Sequence, residues 1–189
     1  IHRTLGQMGQ PADAPLPPEL ARENCERTAS TAVVEGSIAS LGSQYVLGLR
    51  ARNCRTGDIL DEQQVQAARK EDVLTALTQV ARQFRTRVGE SLATVEKYET
   101  PLPEATTPSI DALKALSTGS RVNFSSGPVA AIPHVRLATE IDPGFATAHA
   151  TLGLMYSNVG ESVLSKESTA RAYELRHRAS DRERFFITA

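Results

Sequence analysis

The 189-residue chain has no tryptophan and only 5% aromatic residues, so its core must be built from aliphatic side chains, alanine and valine foremost. It has no excess of one charge. The 21 basic and 22 acidic residues leave a net charge of -1, which argues against a general electrostatic affinity for nucleic acid or an anionic membrane. No apolar run approaches the roughly 20 residues that a helical membrane span needs. There is no glycine-rich phosphate loop, since Gly57 and Gly89 stand alone, and there is no nucleophile elbow. The four histidines, His2, His134, His149 and His177, are scattered without ligand spacing. Glu35 is a lone strand carboxylate beside Gly36 and reads as a structural or surface group. The basic stretch from Arg171 to Arg184 is interleaved with Glu174, Asp181 and Glu183, the pattern of a solvated helical face. These absences lead us to expect no catalytic residues, no cofactor and no metal. An initiator methionine and a signal-peptide pattern are missing at Ile1, from which a piece of a longer chain is expected.

Cysteine is also scarce. Cys25 and Cys54 are too few and too far apart for structural zinc, which wants four nitrogen or sulfur ligands in local pairs. Two readings stay open: a pair of buried thiols behaving as small hydrophobes, or one disulfide between a helix and a strand.

What is present is repetition. Between Ser109 and Arg176 the chain answers itself at a spacing of 34: Gly119 recurs as Gly153, Ala112 as Ala146, Ala138 as Ala172 and Glu140 as Glu174. Val129 recurs as Val163, and Ile141 is answered by Leu175. That period is the length of a helix-turn-helix repeat, with small residues where the two helices of a pair approach closely. Helices are predicted near 109–122, 128–141, 144–158 and 162–176. Pro143 ends the first unit, because proline cannot continue a helix. Ser180-Asp181-Arg182-Glu183 has the form of a capping box and announces a further helix over 180–189.

The amino-terminal half has a different period. Residues 1–11 read as the remnant of a strand and turn, and Pro11, Pro15, Pro17 and Pro18 as a stiff extended approach. A short helix should begin near Pro17 and carry Leu20, Ala21, Asn24, Cys25 and Thr28 on one inward face. From Thr31 the period is two. Turns at Leu41-Gly42-Ser43-Gln44 and Thr56-Gly57-Asp58 divide three strands of an antiparallel meander, the last over 59–67. A long helix over about 70–91 follows, with Val73, Leu74, Leu77, Val80, Ala81, Phe84 and Val88 as the stripe that covers one sheet face. Pro101, Pro103 and Pro108 mark an extended linker over 94–108 that should hold no helix. The expected organisation is an α+β domain over 1–93, the linker, and a helical region over 109–189 with repeats at about 112–145 and 146–179.

Leu152-Gly153-x-x-Tyr156, with Ala131, Ala138 and Ala172, resembles the tetratricopeptide repeat. The pattern departs from that family at Ala115, Thr118, His149, Ser165 and Thr169. The resemblance implies a concave groove lined by the first helix of each pair. Matching the register places Leu113, Leu116, Ser120, Asn123 and Phe124 there, and in the second repeat Thr147, Ala150, Leu154, Ser157 and Asn158. Val34-Glu35-Gly36-Ser37-Ile38, Gln44-Tyr45-x-Leu47 and Thr56-Gly57-Asp58-Ile59-Leu60 resemble the TolB amino-terminal-like domain. The two modules in this order are similar to the sensory region of bacterial membrane-anchored serine/threonine kinases. That resemblance implies a non-catalytic region outside the cytoplasmic membrane, a protein or peptide as partner, no nucleic acid, no membrane contact, and an oxidising location in which Cys25 and Cys54 would be bridged. A second copy of the chain is a further candidate partner. The alternatives are the same modules behind a winged-helix DNA-binding domain in the cytoplasm, and an envelope scaffold.

Overall fold

The computed structural model describes residues 2–9, 16–90, 95 and 100–188. Two compact units divide the chain, Ile1–Glu99 and Thr100–Ala189. The architecture is mixed α and β, with a single three-stranded antiparallel sheet among the described residues.

The first unit opens with a helix, α1 (His2–Gln7), where a strand remnant was expected. Six residues with one buried apolar side chain, Leu5, carry no legible period, and Gly6 and Gly9 read as a turn. Pro11 and Pro15 of the expected extended approach lie outside the described residues. Pro17 precedes α2 (Pro18–Arg27), and Pro18 takes the first helical position, where its missing N–H costs nothing. Asn24 and Cys25 are buried on α2, while Thr28, expected on the same inward face, is exposed. The helix closes with the Ser30 amide donating to the Cys25 carbonyl at 3.1 Å, and Ala29 between them has φ +52°.

The strands are β1 (Ala32–Leu41), β2 (Gln44–Asn53) and β3 (Ile59–Ala67), in that spatial order. The β1–β2 register is unbroken from Ala32 opposite Asn53 to Leu41 opposite Gln44; the β2–β3 register shifts at Ala51/Arg52. One face carries Leu47, Ala51 and Ala67, and helix α3 (Val73–Arg87), entered through a 3-10 turn at Lys70–Asp72, packs on it over β2 and β3. Val73, Leu74, Ala76, Val80 and Phe84 are its buried side chains. The expected stripe is corrected at one end: Val88 is exposed, because α3 stops at Arg87 rather than near 91. Gly89, at φ +98°, takes the left-handed closing position that a side chain would resist, and the Glu90 amide returns to the Arg85 carbonyl. Arg87 pairs with Asp61 of β3 at 3.1 Å. The opposite face of the sheet is a charge ladder: Arg52 lies 3.5 Å from Glu35, and Arg50 Nη2 donates to Glu62 Oε1 at 2.8 Å. Cys25 and Cys54 are joined by a disulfide that ties α2 to the end of β2, with Cα atoms 5.9 Å apart.

The expected linker is corrected too. Residues 94 and 96–99 lie outside the described residues, but Leu102–Ala105 forms a short helix, α4, with Pro101 before it and Pro103 inside its first turn. Pro101 and Pro103 stand at the entry to this helix, where proline is tolerated rather than disruptive. Four helices follow: α5 (Ile110–Ser126), α6 (Pro128–Ile141), α7 (Ala146–Asn158) and α8 (Ser162–Leu175). A 3-10 turn at Arg176–Arg178 leads to α9 (Asp181–Thr188). Helix α5 packs on α6, α6 on α7, and α7 on α8, while α9 lies against α7 and α8.

Small residues let these helices close on one another. An added Cβ at Gly119 would stand 2.5 Å from Val135 Cγ2 on α6, and one at Gly153 would stand 2.5 Å from Thr169 Oγ1 and 3.1 Å from the Thr169 backbone nitrogen on α8. Ala112, Ala115, Ala138 and Ala148 surround Phe145, and Ala131 and Val135 meet Leu152 and Met155.

Candidate functional site

The face to test is the one that α5 and α7 present in the second unit. Their positions are set from both ends. Ser109 accepts the Ala112 amide and starts α5, and the Ser109 amide donates to Thr107 Oγ1. Thr107, fully buried, donates its own hydroxyl proton to Asp142 at 2.6 Å, and Asp142 also accepts the Gly144 amide at 2.9 Å. His149 hydrogen-bonds the Pro143 carbonyl at 3.2 Å, and the Arg178 guanidinium lies over Gly144, where a side chain would have to displace it. The turn between α6 and α7 is therefore held by α7 itself, by the entry to α5 and by the chain after α8. Burial pushes the His149 imidazole below its ordinary value, against a smaller opposite pull from the Pro143 carbonyl.

The ten expected groove residues separate into two sets. Leu113 and Leu116 are half-buried: they pack on the buried cluster of Ala112, Ala115, Ala138, Phe145 and Ala148, and Leu116 also packs on the cluster of Ala131, Val135, Leu152 and Met155. Ala150 packs on Ala146, Ala172, Leu175 and Ile187. Thr147 faces Glu183 of α9. Helix α9 covers this end of α7, which the 34-residue register alone could not show. Ser120 and Asn123 are half-buried. Phe124, Leu154, Ser157 and Asn158 are exposed, Phe124 at 59% and Leu154 at 52%. Of the ten, the outward-facing residues lie toward the carboxy-terminal ends of α5 and α7, and they carry amide, hydroxyl, phenyl and isobutyl groups with no charge among them.

Ser157 also opens into a cavity of about 580 Å³ lined by Ser162, Ser165, Lys166, Thr169 and Tyr173 of α8, with Ile187 at its edge. Sequence reasoning missed it, although a signal was present. Ser165 and Thr169 stand where the repeat pattern departs from small or aromatic residues, and each brings a hydroxyl to the helix interface. Ser165 donates to the Gly153 carbonyl at 2.9 Å, which satisfies it inside the pair.

The capping box is half formed. The Glu183 amide lies 3.4 Å from Ser180 Oγ, but the Ser180 amide donates to the Ala105 carbonyl of α4 at 2.9 Å rather than to Glu183. Burial pushes the Glu183 proton affinity up, against a smaller opposite pull from the nearby hydroxyls of Thr106 and Thr147, and neither Glu183 Oε2 nor Thr147 Oγ1 completes a hydrogen bond.

Among the described residues no helix is long and apolar enough to cross a membrane, and no three His, Cys, Asp or Glu side chains are placed to hold a metal. No protein-family model, curated protein or solved structure matches the chain.

Proposed function

We propose that the chain is a non-catalytic sensory and protein-interaction region that binds an extended peptide or protein segment across Asn123, Phe124, Leu154, Ser157 and Asn158. The observation that carries this reading is the coincidence of two things on α5 and α7. Gly119 and Gly153, 34 residues apart, both sit at close helix approaches, and the exposed side chains at the ends of the same two helices are 34 residues apart as well, Phe124 matching Asn158. A periodic surface of amides and apolar groups suits a ligand whose backbone needs hydrogen bonds at regular intervals. The pairing of a small α+β unit with these helices supports the resemblance to a TolB amino-terminal-like domain followed by tetratricopeptide repeats. The parent would then be a membrane-anchored serine/threonine kinase with this region on the extracytoplasmic side. The Cys25–Cys54 bridge favours that compartment over a cytoplasmic winged-helix regulator.

The test uses random heptapeptides displayed on phage and selected against the oxidised chain. Selected peptides should lose about tenfold or more in affinity on Phe124→Ala and Asn158→Ala, the loss expected for an interface centre. Peptides bound equally well by both variants, with the helical signal intact, would refute the assignment.

A further inference from the structure

Among the described residues, strand β1 is a sheet edge without the usual protection. Edge strands are normally blunted by charge, proline, bulges or short length. The other edge, β3, carries Asp61 and Glu62 and adjoins the register shift at Ala51/Arg52. The ten residues of β1 contain no lysine and no proline, and its register with β2 has no bulge. Its only charge, Glu35, is taken up by Arg52 on the neighbouring strand. Val34 and Ile38 are both more than half exposed.

Beside this edge lies a groove. Helix α2 forms its other wall, and a cavity of about 390 Å³ is lined by Leu16, Ala21, Asn24, Thr28, Val33 and Val34 among others, none of them charged. Asn24 is 6% exposed, yet its Nδ2 has no hydrogen-bond acceptor. A buried amide donor left without an acceptor is costly, so this one marks a place where an acceptor belongs. The disulfide from Cys25 holds the α2 wall in place.

We propose that this groove is a second binding site, independent of the face on α5 and α7, and that it takes an extended, uncharged polypeptide segment as an added strand on β1. Strand addition supplies what each feature lacks. The segment's backbone pairs with the open edge, an alternate apolar side chain enters the cavity, and a backbone carbonyl accepts the Asn24 Nδ2 proton. The uncharged lining selects against charged segments, which would lose hydration with nothing in return. Pairing of β1 with β1 of a second copy would use the edge but leave the cavity and Asn24 unexplained.

The same phage selection separates this site from the other. A second class of peptides is expected, poor in charged residues, with binding measured on synthetic peptide by fluorescence anisotropy. Affinity should fall about tenfold or more on Asn24→Ala and on Val34→Lys, which places a charge on the edge, and should be unchanged on Phe124→Ala. A proline at the centre of the peptide should abolish binding, because it cannot donate to a ladder. Val34 is exposed, so its variant reports on binding even if Asn24→Ala disturbs packing. Recovery only of peptides that ignore both variants would overturn the proposal. So would sedimentation showing that the native chain pairs through β1 and that Val34→Lys separates it.

Discussion

The two units solve the problem of a core poor in aromatic residues in different ways. In the first, distant segments must meet. Residues of β2, β3 and α3 bury Leu47, Ala51, Ala67, Val80 and Phe84 against one another, and helix α2 is held by a covalent bond. In the second, neighbours in sequence are neighbours in space, and closeness replaces bulk: Gly119 and Gly153 let α6 and α8 approach until alanine side chains suffice. A small sheet with one covering helix gains from a crosslink what a stack of helix pairs gains from tight local packing.

The largest expected effect tests that division. Replacing both cysteines by serine opens a loop between residues 29 apart, which in the chain-entropy model removes about 3–4 kcal/mol. Native-state hydrogen exchange should show the loss at Leu47 and Val80 and leave Val135 and Leu152 unchanged. Equal loss in both sets would break the comparison. The reciprocal test is Gly153→Val. Its Cβ meets the backbone of Thr169 and Ser165, which cannot step aside as a flexible side chain would, so about 2–3 kcal/mol should disappear from the second unit alone.

The smallest effect concerns pH. Burial raises the Glu183 proton affinity above that of the unfolded chain, whose carboxyl titrates near 4.5. Its contribution to stability is therefore present below about pH 4.5 and is lost as pH rises through the folded value. Glu183→Gln should raise the melting temperature of the second unit slightly at neutral pH, by less than about 1 kcal/mol in stability because the group is half exposed, and the gain should vanish in acid. His149 titrates in both proteins and cancels in the difference. A gain that is independent of pH would assign the effect to packing.

Sequence legibility followed punctuation. The bounds of β3 and α6 were readable because Gly57-Asp58, Gly127-Pro128 and Pro143 sit at their ends. The approach of helix pairs was readable from Gly119 and Gly153, since only a missing side chain permits it. Short elements were not: α1 has one buried apolar residue and α4 is four residues long, too little for a period to register. The groove was half legible. A repeat register says which side of a helix a residue occupies, but not that α9 folds back over Thr147 and Ala150, nor that Leu113 and Leu116 are needed to fill space around alanine. The groove beside β1 gave no signal at all, because an unpaired edge and an unanswered amide are properties of what surrounds a residue.

The helical unit has a direction. The outer side of α5 carries Asp111, Lys114, Ser117 and Arg121, all exposed, while the residues 34 further on, Phe145, Ala148, Thr151 and Met155, are buried or half-buried. At the other end Val163, Leu164, Tyr173 and Phe185 are exposed. The first end is finished in a polar surface, while the second sets large apolar side chains among exposed charges such as Lys166 and Arg171. An inserted copy of the 34-residue unit would therefore be accepted after α8 and rejected ahead of α5, where it would bury Lys114 and Arg121. Lengthening by duplication has one open door in this molecule, and its position is written in which of the two ends leaves large apolar side chains uncovered.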